Sequence, residues 1–280
     1  MQTDPAVRRA NFRRLHEGGC FVMPNPWDVG SARVLQHMGF PALATTSAGM
    51  AFALGFPDGG VPRAGVLEHV RAIAGAVEVP VNADFESGFA DDAAGVAESV
   101  RLCVATGVAG LSIEDFTGNR AAPLFELDVA VERLRAARGA IDASGTGVVL
   151  TARAECHLVG HPDPLRESIR RLEAYAAAGA DCLYAPGLRT PQEVAAVVRA
   201  VAPKPVNVLA GGSGFSVAQL RDQGVRRISV GAALARAAWG AFLRAAEEIA
   251  GTGTFQALAE AAPFPRLNAF FTEDVGRRER

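Results

Sequence analysis

Short apolar runs recur along the chain, and each is followed by a longer amphipathic stretch. The runs lie at Cys20–Met23, Ala42–Thr45, Val79–Ala83, Gly110–Ile113, Val148–Ala152, Cys182–Tyr184, Val206–Leu209 and Ile228–Val230. Their brevity and near-continuous apolar character fit strands buried on both faces. Between them apolar residues return every three or four positions. That spacing predicts helices over Val29–Met38, Ala64–Val77, Ala93–Ala105, Val129–Ala143, Pro164–Ala178, Pro191–Val201, Ser216–Gln223 and Ala232–Ile249. Asp28 or Ser31, Asp91, Thr190 and Ser216 stand where helix caps belong, and Gly39, Gly107, Gly179 and Gly224 where helices stop.

Eight strands alternating with eight helices predict an α/β fold, a (β/α)8 TIM barrel occupying residues 1–280 as a single domain. A doubly wound sheet would rarely need eight regular units, and no G-x-G-x-x-G follows the first run. No linker rich in Pro, Gly and Ser divides the chain. Past the last barrel helix, Gly251–Gly253 breaks the pattern, so residues 251–280 form a C-terminal extension. It contains an amphipathic piece, Phe255–Ala261, and a Phe-rich tail, Pro263–Phe271, expected to pack on the barrel or on a partner subunit.

Composition narrows the classes. With 49% hydrophobic and 21% charged residues among 280, the chain can fill a core and is not disordered. A net charge of -2 argues against a nucleic-acid footprint. The four cysteines are scattered, without a C-x-x-C pair, so neither a zinc knuckle nor a disulfide scaffold is indicated. The N-terminus lacks a signal-peptide core and no run approaches membrane-span length, which predicts a cytoplasmic protein with no membrane partner.

In barrels the chemistry gathers at the C-terminal ends of the strands. Those ends carry Asn25, Trp27 and Asp28; Thr46, Ser47 and Gly49; Asp84 and Glu86; Glu114 and Asp115; and Arg153, Glu155 and His157. Tyr184 ends the sixth strand, Asn207 lies within the seventh, and Ser229, Gly231 and Ala232 close the eighth. Asp84 and Glu86, two residues apart, point the same way. Like charges side by side resist burial, and a hard cation such as Mg²⁺ or Mn²⁺ would relieve the conflict; a solvated acidic turn is the other reading. Glu114, on the adjacent strand, can join them. Arg153 offers a planar fork for a carboxylate, or a salt bridge to Glu155 or Glu114.

Elimination also contributes. Lys204, the only lysine, precedes the seventh strand, away from the chemical end, which disfavours a Schiff-base aldolase. Only His157 and His161 fall near the mouth, too few for a His-rich zinc hydrolase. There is no G-x-S-x-G elbow. Ala210-Gly211-Gly212-Ser213-Gly214, with Gly231-Ala232, can grip phosphate or simply turn tightly. Thr45–Met50 is made of small residues whose backbone N–H groups could approach a carboxylate.

With these residues in view, the chain resembles the isocitrate lyase/phosphoenolpyruvate mutase superfamily over almost its whole length. The resemblance rests on Pro24-Asn25-Pro26-Trp27-Asp28, Thr45–Gly49, Pro57-Asp58-Gly59, Asn82–Phe89, Gly110–Asp115 and Leu150–Glu155. It implies a homotetramer of Mg²⁺-dependent barrels that exchange their last helix. It also implies cleavage or formation of C–C or P–C bonds next to a 2-oxo or 2-hydroxy acid. By motif position Asp84 would meet the metal directly, with Asp58, Glu86 and Glu114 acting largely through water. Thr46, Ser47, the backbone of Ala48 and Gly49, and Arg153 would hold a carboxylate, and Asn207 would reach the substrate's far end. Phe116–Leu127 matches a mobile loop that closes over substrate.

The chain departs from true isocitrate and methylisocitrate lyases in that loop, which lacks their Lys-x-Cys-Gly-His element. Glu114, Tyr184 and the pair Asn119/Arg120 are then the candidates for acid/base work. The expectation is a Mg²⁺-dependent lyase for a small 2-oxo or 2-hydroxy acid. Its rivals are an oxaloacetate decarboxylase or hydrolase, a phosphonopyruvate enzyme, a phosphate-gripping isomerase and a non-catalytic binder of 2-oxo dicarboxylates.

Overall fold

The computed structural model of the chain describes residues 3–212 and 214–279. Eight parallel strands follow the predicted runs to within two residues: β1 (Phe21–Met23), β2 (Leu43–Ala44), β3 (Val81–Asp84), β4 (Gly110–Glu114), β5 (Val149–Arg153), β6 (Cys182–Tyr184), β7 (Val206–Leu209) and β8 (Arg227–Ser229). Their order is β1-β8-β7-β6-β5-β4-β3-β2. A backbone bond from Ala44 N–H to the Pro24 carbonyl, 3.1 Å, spans the seam between β1 and β2. The result is a nearly closed (β/α)8 barrel.

The helices are α1 (Pro5–Glu17), α2 (Val29–His37), α3 (Ser47–Ala53), α4 (Arg63–Ala76), α5 (Ala93–Val104), α6 (Leu127–Ala143), α7 (Pro164–Ala177), α8 (Pro191–Val201), α9 (Val217–Asp222), α10 (Ala233–Thr252) and α11 (Phe264–Arg278). Reciprocal capping boxes start α2 (Asp28 with Ser31), α8 (Thr190 with Glu193) and α9 (Ser216 with Gln219). The cap of α5 is Asp92 rather than its neighbour Asp91. Among the described residues, no helix is long and apolar enough to cross a membrane.

Two helices have no counterpart in the apolar pattern. One is α3, built from the small residues after β2 and capped by Thr46. The other is α1, which covers the barrel end where the strands begin. Barrel helices run against the strands, so their C-terminal carbonyls, unsatisfied and partly negative, collect there. Arg8 donates to the carbonyls of Ala74 (2.6 Å) and Val77 (2.8 Å) at the end of α4. Arg9 does the same for Val104 and Val108 after α5, each at 3.0 Å. Arg13 reaches Gly147, 2.6 Å, between α6 and β5. Phe12 is fully buried among Phe21, Ala42, Ala109 and Val149. Helix α1 therefore closes the barrel with one aromatic and a row of arginines, a composition that reads as solvent-exposed.

The C-terminal extension is a single 3-10 turn, Gln256–Glu260, followed by α11. Helix α11 docks on α2 of its own chain chiefly through an ion pair, while Phe264, Leu267 and Phe271 stay exposed, against the expectation from its Phe content. Asp274 receives Arg33 Nε (2.9 Å) and Nη2 (2.5 Å), and the rings of His37 and Phe270 meet edge to face at 5.1 Å. Helix α10 behaves differently: only Ala235 along its length is buried, and Phe242, Leu243 and Ile249 are exposed. The single chain shows no exchange of helices between subunits.

The Arg33–Asp274 pair is buried on both sides. Removing one partner strands the other charge, so Asp274→Ala should lower stability by about 3 kcal/mol. Urea unfolding checks this; a variant as stable as the parent would mean that the pair does not anchor α11.

Candidate active site

Strand register decides which side chains become neighbours. Glu114 pairs with Arg153, Arg153 with Tyr184, and Tyr184 with Asn207, while Asp84 pairs with Ser112. The C-terminal ends of β3 to β7 thus bring two acids, a guanidinium, a phenol and an amide into one arc.

Arg153 stands at its centre. Its Nη1 meets Asp84 Oδ1 at 2.8 Å and Glu114 Oε2 at 3.1 Å, and its Nε meets Glu155 Oε1 at 2.9 Å. Its Nη2 enters none of these three pairs. The guanidinium carbon lies 5.2 Å from the centre of the Tyr184 ring, a cation–π contact. Burial works against its charge, but Glu114, Glu155 and Asp84 outweigh burial and hold Arg153 firmly protonated. Arg153 therefore forms the salt bridges expected of it and also lines the cavity.

That cavity has two chambers. The outer, about 860 Å³, is lined by Asp58, Glu86, Glu114, Arg120, Arg153 and Glu155, with an apolar wall that includes Phe89, Phe116, Leu158 and Val159. The inner, about 190 Å³, is lined by Thr46, Ser47, Ala48, Asp84, Tyr184 and Asn207 among others. Ser47, Asp58, Arg153 and Leu158 line both chambers and so mark their junction.

The acidic motif is held under strain. Glu86 has φ +47° and Phe89 φ +57°, a left-handed conformation that costs energy for residues with side chains. The segment is clamped from outside. Arg133 donates to the carbonyls of Ser87 (2.5 Å), Ala90 (2.6 Å) and Asp91 (2.6 Å), its guanidinium lying over the Phe125 ring. The Glu86 carbonyl accepts the N–H of Glu114 at 2.9 Å, tying β3 to β4. Beside it, Asp115 takes Tyr175 Oη (2.6 Å), Arg171 Nη1 (3.0 Å) and the N–H of Glu155 (2.8 Å), fixing where β4 and β5 end.

Electrostatics here are unbalanced. Burial, then the neighbouring charges of Asp84 and Asp58, push the Glu86 carboxyl up to about 7. Glu114 is raised well above the usual carboxylate range, chiefly by burial, against the pull of Arg153. Glu155 is raised for the same reason. Burial also lifts the Tyr184 hydroxyl to about 12, so the phenol stays protonated.

A divalent cation fits this donor set. Asp58, Asp84, Glu86 and Glu114 supply hard oxygen ligands, and their crowding around one arginine is the kind of conflict a cation relieves. Among the described residues no three Asp, Glu, His or Cys side chains are arranged to enclose an ion by themselves. Water would therefore complete the shell, as is usual for Mg²⁺.

Other sequence-picked residues are placed less centrally. Ser47 N–H is taken by Asp84 Oδ2 at 3.0 Å and Gly49 N–H by Thr46 Oγ1 at 3.3 Å. Gly49 lines neither chamber; a Cβ there would lie 2.6 Å from Thr46 Cγ2 and 3.0 Å from Trp27 Cβ, so the glycine serves close packing. Asn119 is exposed and outside both chambers, its Oδ1 accepting Ala121 N–H at 3.0 Å within its own turn. His157 and His161 line neither chamber. Gly211, Gly212 and Gly214 do not line them either, and Ser213 lies outside the described residues. Asn82, Ser112 and Arg227 line the inner chamber but were not singled out from the sequence. A polar residue inside a barrel strand is the one signal that could have found Asn82 and Ser112.

Because the raised Glu86 ionises at a cost to the folded state, that cost is present above pH 7. It fades as pH falls towards the ordinary value of 4.5. In chelator-treated protein, Glu86→Gln should add about 2 kcal/mol at pH 8 and almost nothing near pH 4.5. Urea unfolding at the two pH values measures it, and an equal gain at both would refute the charge-crowding account.

Comparison with known proteins agrees with this geometry. The phosphoenolpyruvate phosphomutase family model matches residues 12–250. An uncharacterized protein of Mycobacterium tuberculosis H37Rv is 32% identical over 222 residues, 79% of this chain and 81% of its own. A crystal structure from Burkholderia cenocepacia J2315, provisionally named a lyase/mutase, is 48% identical with a TM-score of 0.92, covering 96% of this chain and 97% of its own. Oxaloacetate acetylhydrolase, solved with its product oxalate, is 26% identical with a TM-score of 0.84, covering 95% and 94%. The chain belongs to the phosphoenolpyruvate phosphomutase family, within the isocitrate lyase/phosphoenolpyruvate mutase superfamily of lyases and mutases that act on small carboxylates.

Proposed function

We propose that this protein is a carbon–carbon lyase for a small 2-oxo or 2-hydroxy carboxylic acid. The observation that carries the reading is Arg153, held rigid by three carboxylates at the junction of two chambers, with Nη2 outside those bonds. A planar cation so fixed suits the carboxylate of a substrate whose reacting carbons lie beside it. When bound by Asp84, with Asp58, Glu86 and Glu114 acting largely through water, Mg²⁺ or Mn²⁺ would polarise the substrate's oxygens as a Lewis acid.

The chain's own residues account for the rest. Arg153 binds and orients the carboxylate. Glu114, whose carboxyl burial pushes well above the usual carboxylate range, is the candidate to pass a proton to the substrate. Tyr184, its hydroxyl lifted by burial to about 12, offers a hydrogen bond from that hydroxyl. In a 2-hydroxy acid the hydroxyl gives up its proton and its oxygen closes to a carbonyl as the C–C bond breaks. That fragment becomes the 2-oxo acid, while the electron pair passes to the departing carboxylate fragment, whose carbon then takes up a proton. In a 2-oxo diacid carbon dioxide leaves and the pair stays on the 2-oxo fragment until it is protonated. Phe116, Thr117, Gly118 and Arg120 bring the loop over the outer chamber, where Arg120 adds a second positive charge. Asn119, turned into its own loop, gives no support to the phosphonopyruvate reading.

Asp84→Ala should abolish Mg²⁺ binding and lower turnover by roughly 10³-fold. The assay is pyruvate or oxalate release from oxaloacetate, methylisocitrate and dimethylmalate. Activity retained by the chelated variant would sink the assignment, and saturable binding without turnover would make the protein a binder.

Assembly forms part of the same reading. The unburied apolar side of α10, with Phe242, Leu243 and Ile249, is proposed as the contact between copies in a homotetramer, with α10 exchanged between neighbours rather than the last helix, α11, which is tied to its own chain. Sedimentation should show a tetramer that Phe242→Glu dissociates; a wild-type monomer at micromolar concentration would remove the proposal.

A further inference from the structure

Arg133 is a buried guanidinium that lines neither chamber. It sits on the inward face of α6, beside Ala130 and Leu134, and is 2% exposed. Its Nη2 donates to the carbonyl of Ser87 at 2.5 Å, and its Nη1 to those of Ala90 and Asp91, each at 2.6 Å. All three acceptors are neutral. Burial leaves the charge of Arg133 less favoured than in water, and the nearby Asp91 and Asp92 only partly offset this. A charge is costly to keep inside a protein on such terms. The Phe125 ring, 4.0 Å away, fixes the plane of the guanidinium. That ring is itself held, because Phe125 N–H donates to the Asp115 carbonyl and the Phe125 carbonyl accepts Arg171 Nη1, both at 2.9 Å.

The cost is explained by the turn that Arg133 holds. Glu86 keeps φ +47° and Phe89 φ +57°, where a glycine would rest without strain. Left free, the backbone would relax to negative φ and the Glu86 side chain would swing away. Two successive carbonyls prevent this. That of Glu86 accepts the N–H of Glu114 from β4, and that of Ser87 accepts Arg133 from α6. Together they fix the peptide planes that follow Glu86, and with them the direction of its Cα–Cβ bond. The Glu86 carboxylate consequently lines the outer chamber against the Asp58–Gly59 turn, its Oε2 3.9 Å from where a Cβ on Gly59 would stand. Arg8 provides the contrast. It too is a buried guanidinium on backbone carbonyls, those of Ala74 and Val77, but at the end of the barrel where the strands begin.

We propose that Arg133 is a positioning residue for the metal: by holding the turn after β3 in its left-handed form, it keeps the Glu86 carboxylate within the donor set of Asp58, Asp84 and Glu114. The inference rests on the metal-dependent reading of the site. It adds that affinity for the cation is set in part from outside the cavity, by a side chain that touches neither metal nor substrate.

Mn²⁺ titration, followed by the electron-spin resonance of the free ion, tests this without any turnover. Arg133→Lys keeps the charge but cannot span three carbonyls with one planar group. It should lower Mn²⁺ affinity roughly 10-fold. Arg8→Lys makes the same change at the other end of the barrel. It should lower thermal stability as well, yet leave Mn²⁺ affinity at the parent value. Because Arg133 acts through Glu86, adding Arg133→Lys to Glu86→Gln should bring no further loss.

Parent-like Mn²⁺ affinity in folded Arg133→Lys would overturn the proposal. So would an equal loss in Arg8→Lys, or a full second loss in the double variant. If Arg133→Lys does not fold, Phe125→Leu frees the plane of the guanidinium and should weaken Mn²⁺ binding roughly threefold. An unchanged affinity in that variant has the same force. A parent protein that binds no Mn²⁺ removes the metal reading and this inference together. Binding that Asp84→Ala abolishes and Arg133→Lys leaves untouched removes this inference alone.

Discussion

The contact between Arg153 and its three carboxylates is the constraint around which the mouth of the barrel is organised. Asp84, Glu114 and Glu155 come from three different strand ends, and without the guanidinium they would be three like charges in a confined space. With it they form a stiff frame in which each acid limits the rotamers of the others. The frame is deliberately incomplete. One cation cannot balance Asp84, Glu86, Glu114 and Glu155 together, and burial, with the residual repulsion added to it, shows in the upward shifts of Glu86 and Glu114. An acidic site of this kind is primed for a positive ligand.

The supports of this frame lie outside the cavity. Arg133 holds the strained turn after β3, and the Asp115–Arg171–Tyr175 cluster holds the ends of β4 and β5. Strain at Glu86 persists because these bonds over-determine the backbone around it. Such a division of labour, with reactive groups inside and their orienting bonds behind, gives a preorganised site without relying on flexible loops.

Much of this was legible in the chain. The alternation of short apolar runs with amphipathic stretches gave every barrel strand, because parallel strands buried on both faces leave an unambiguous pattern. Asp84, Glu86, Glu114 and Arg153 could be picked out because strand ends in such a barrel share one rim. What stayed hidden has a common cause. Arg8, Arg9 and Arg13 look like surface residues, yet their targets are backbone carbonyls, which no side-chain pattern reveals. Arg227 follows another arginine at the edge of an apolar run, and only the register between β7 and β8 turns it towards Asn207. Asn119 is placed by the opposite kind of bond: its amide closes a local turn, and short-range bonds of that sort compete with longer-range contacts.

The way α1 closes the barrel bears on how the protein is made. Its arginines are synthesised well before their partners, Arg13 waiting 135 residues for the carbonyl of Val148. During that interval Phe12 has no pocket and α1 is too short to persist alone. A helix made before the barrel strands is thus among the last elements to find its place. The strand-start end of the barrel is sealed only when the chain past β5 is available, a topology that slows folding and leaves an exposed aromatic for chaperones to shield.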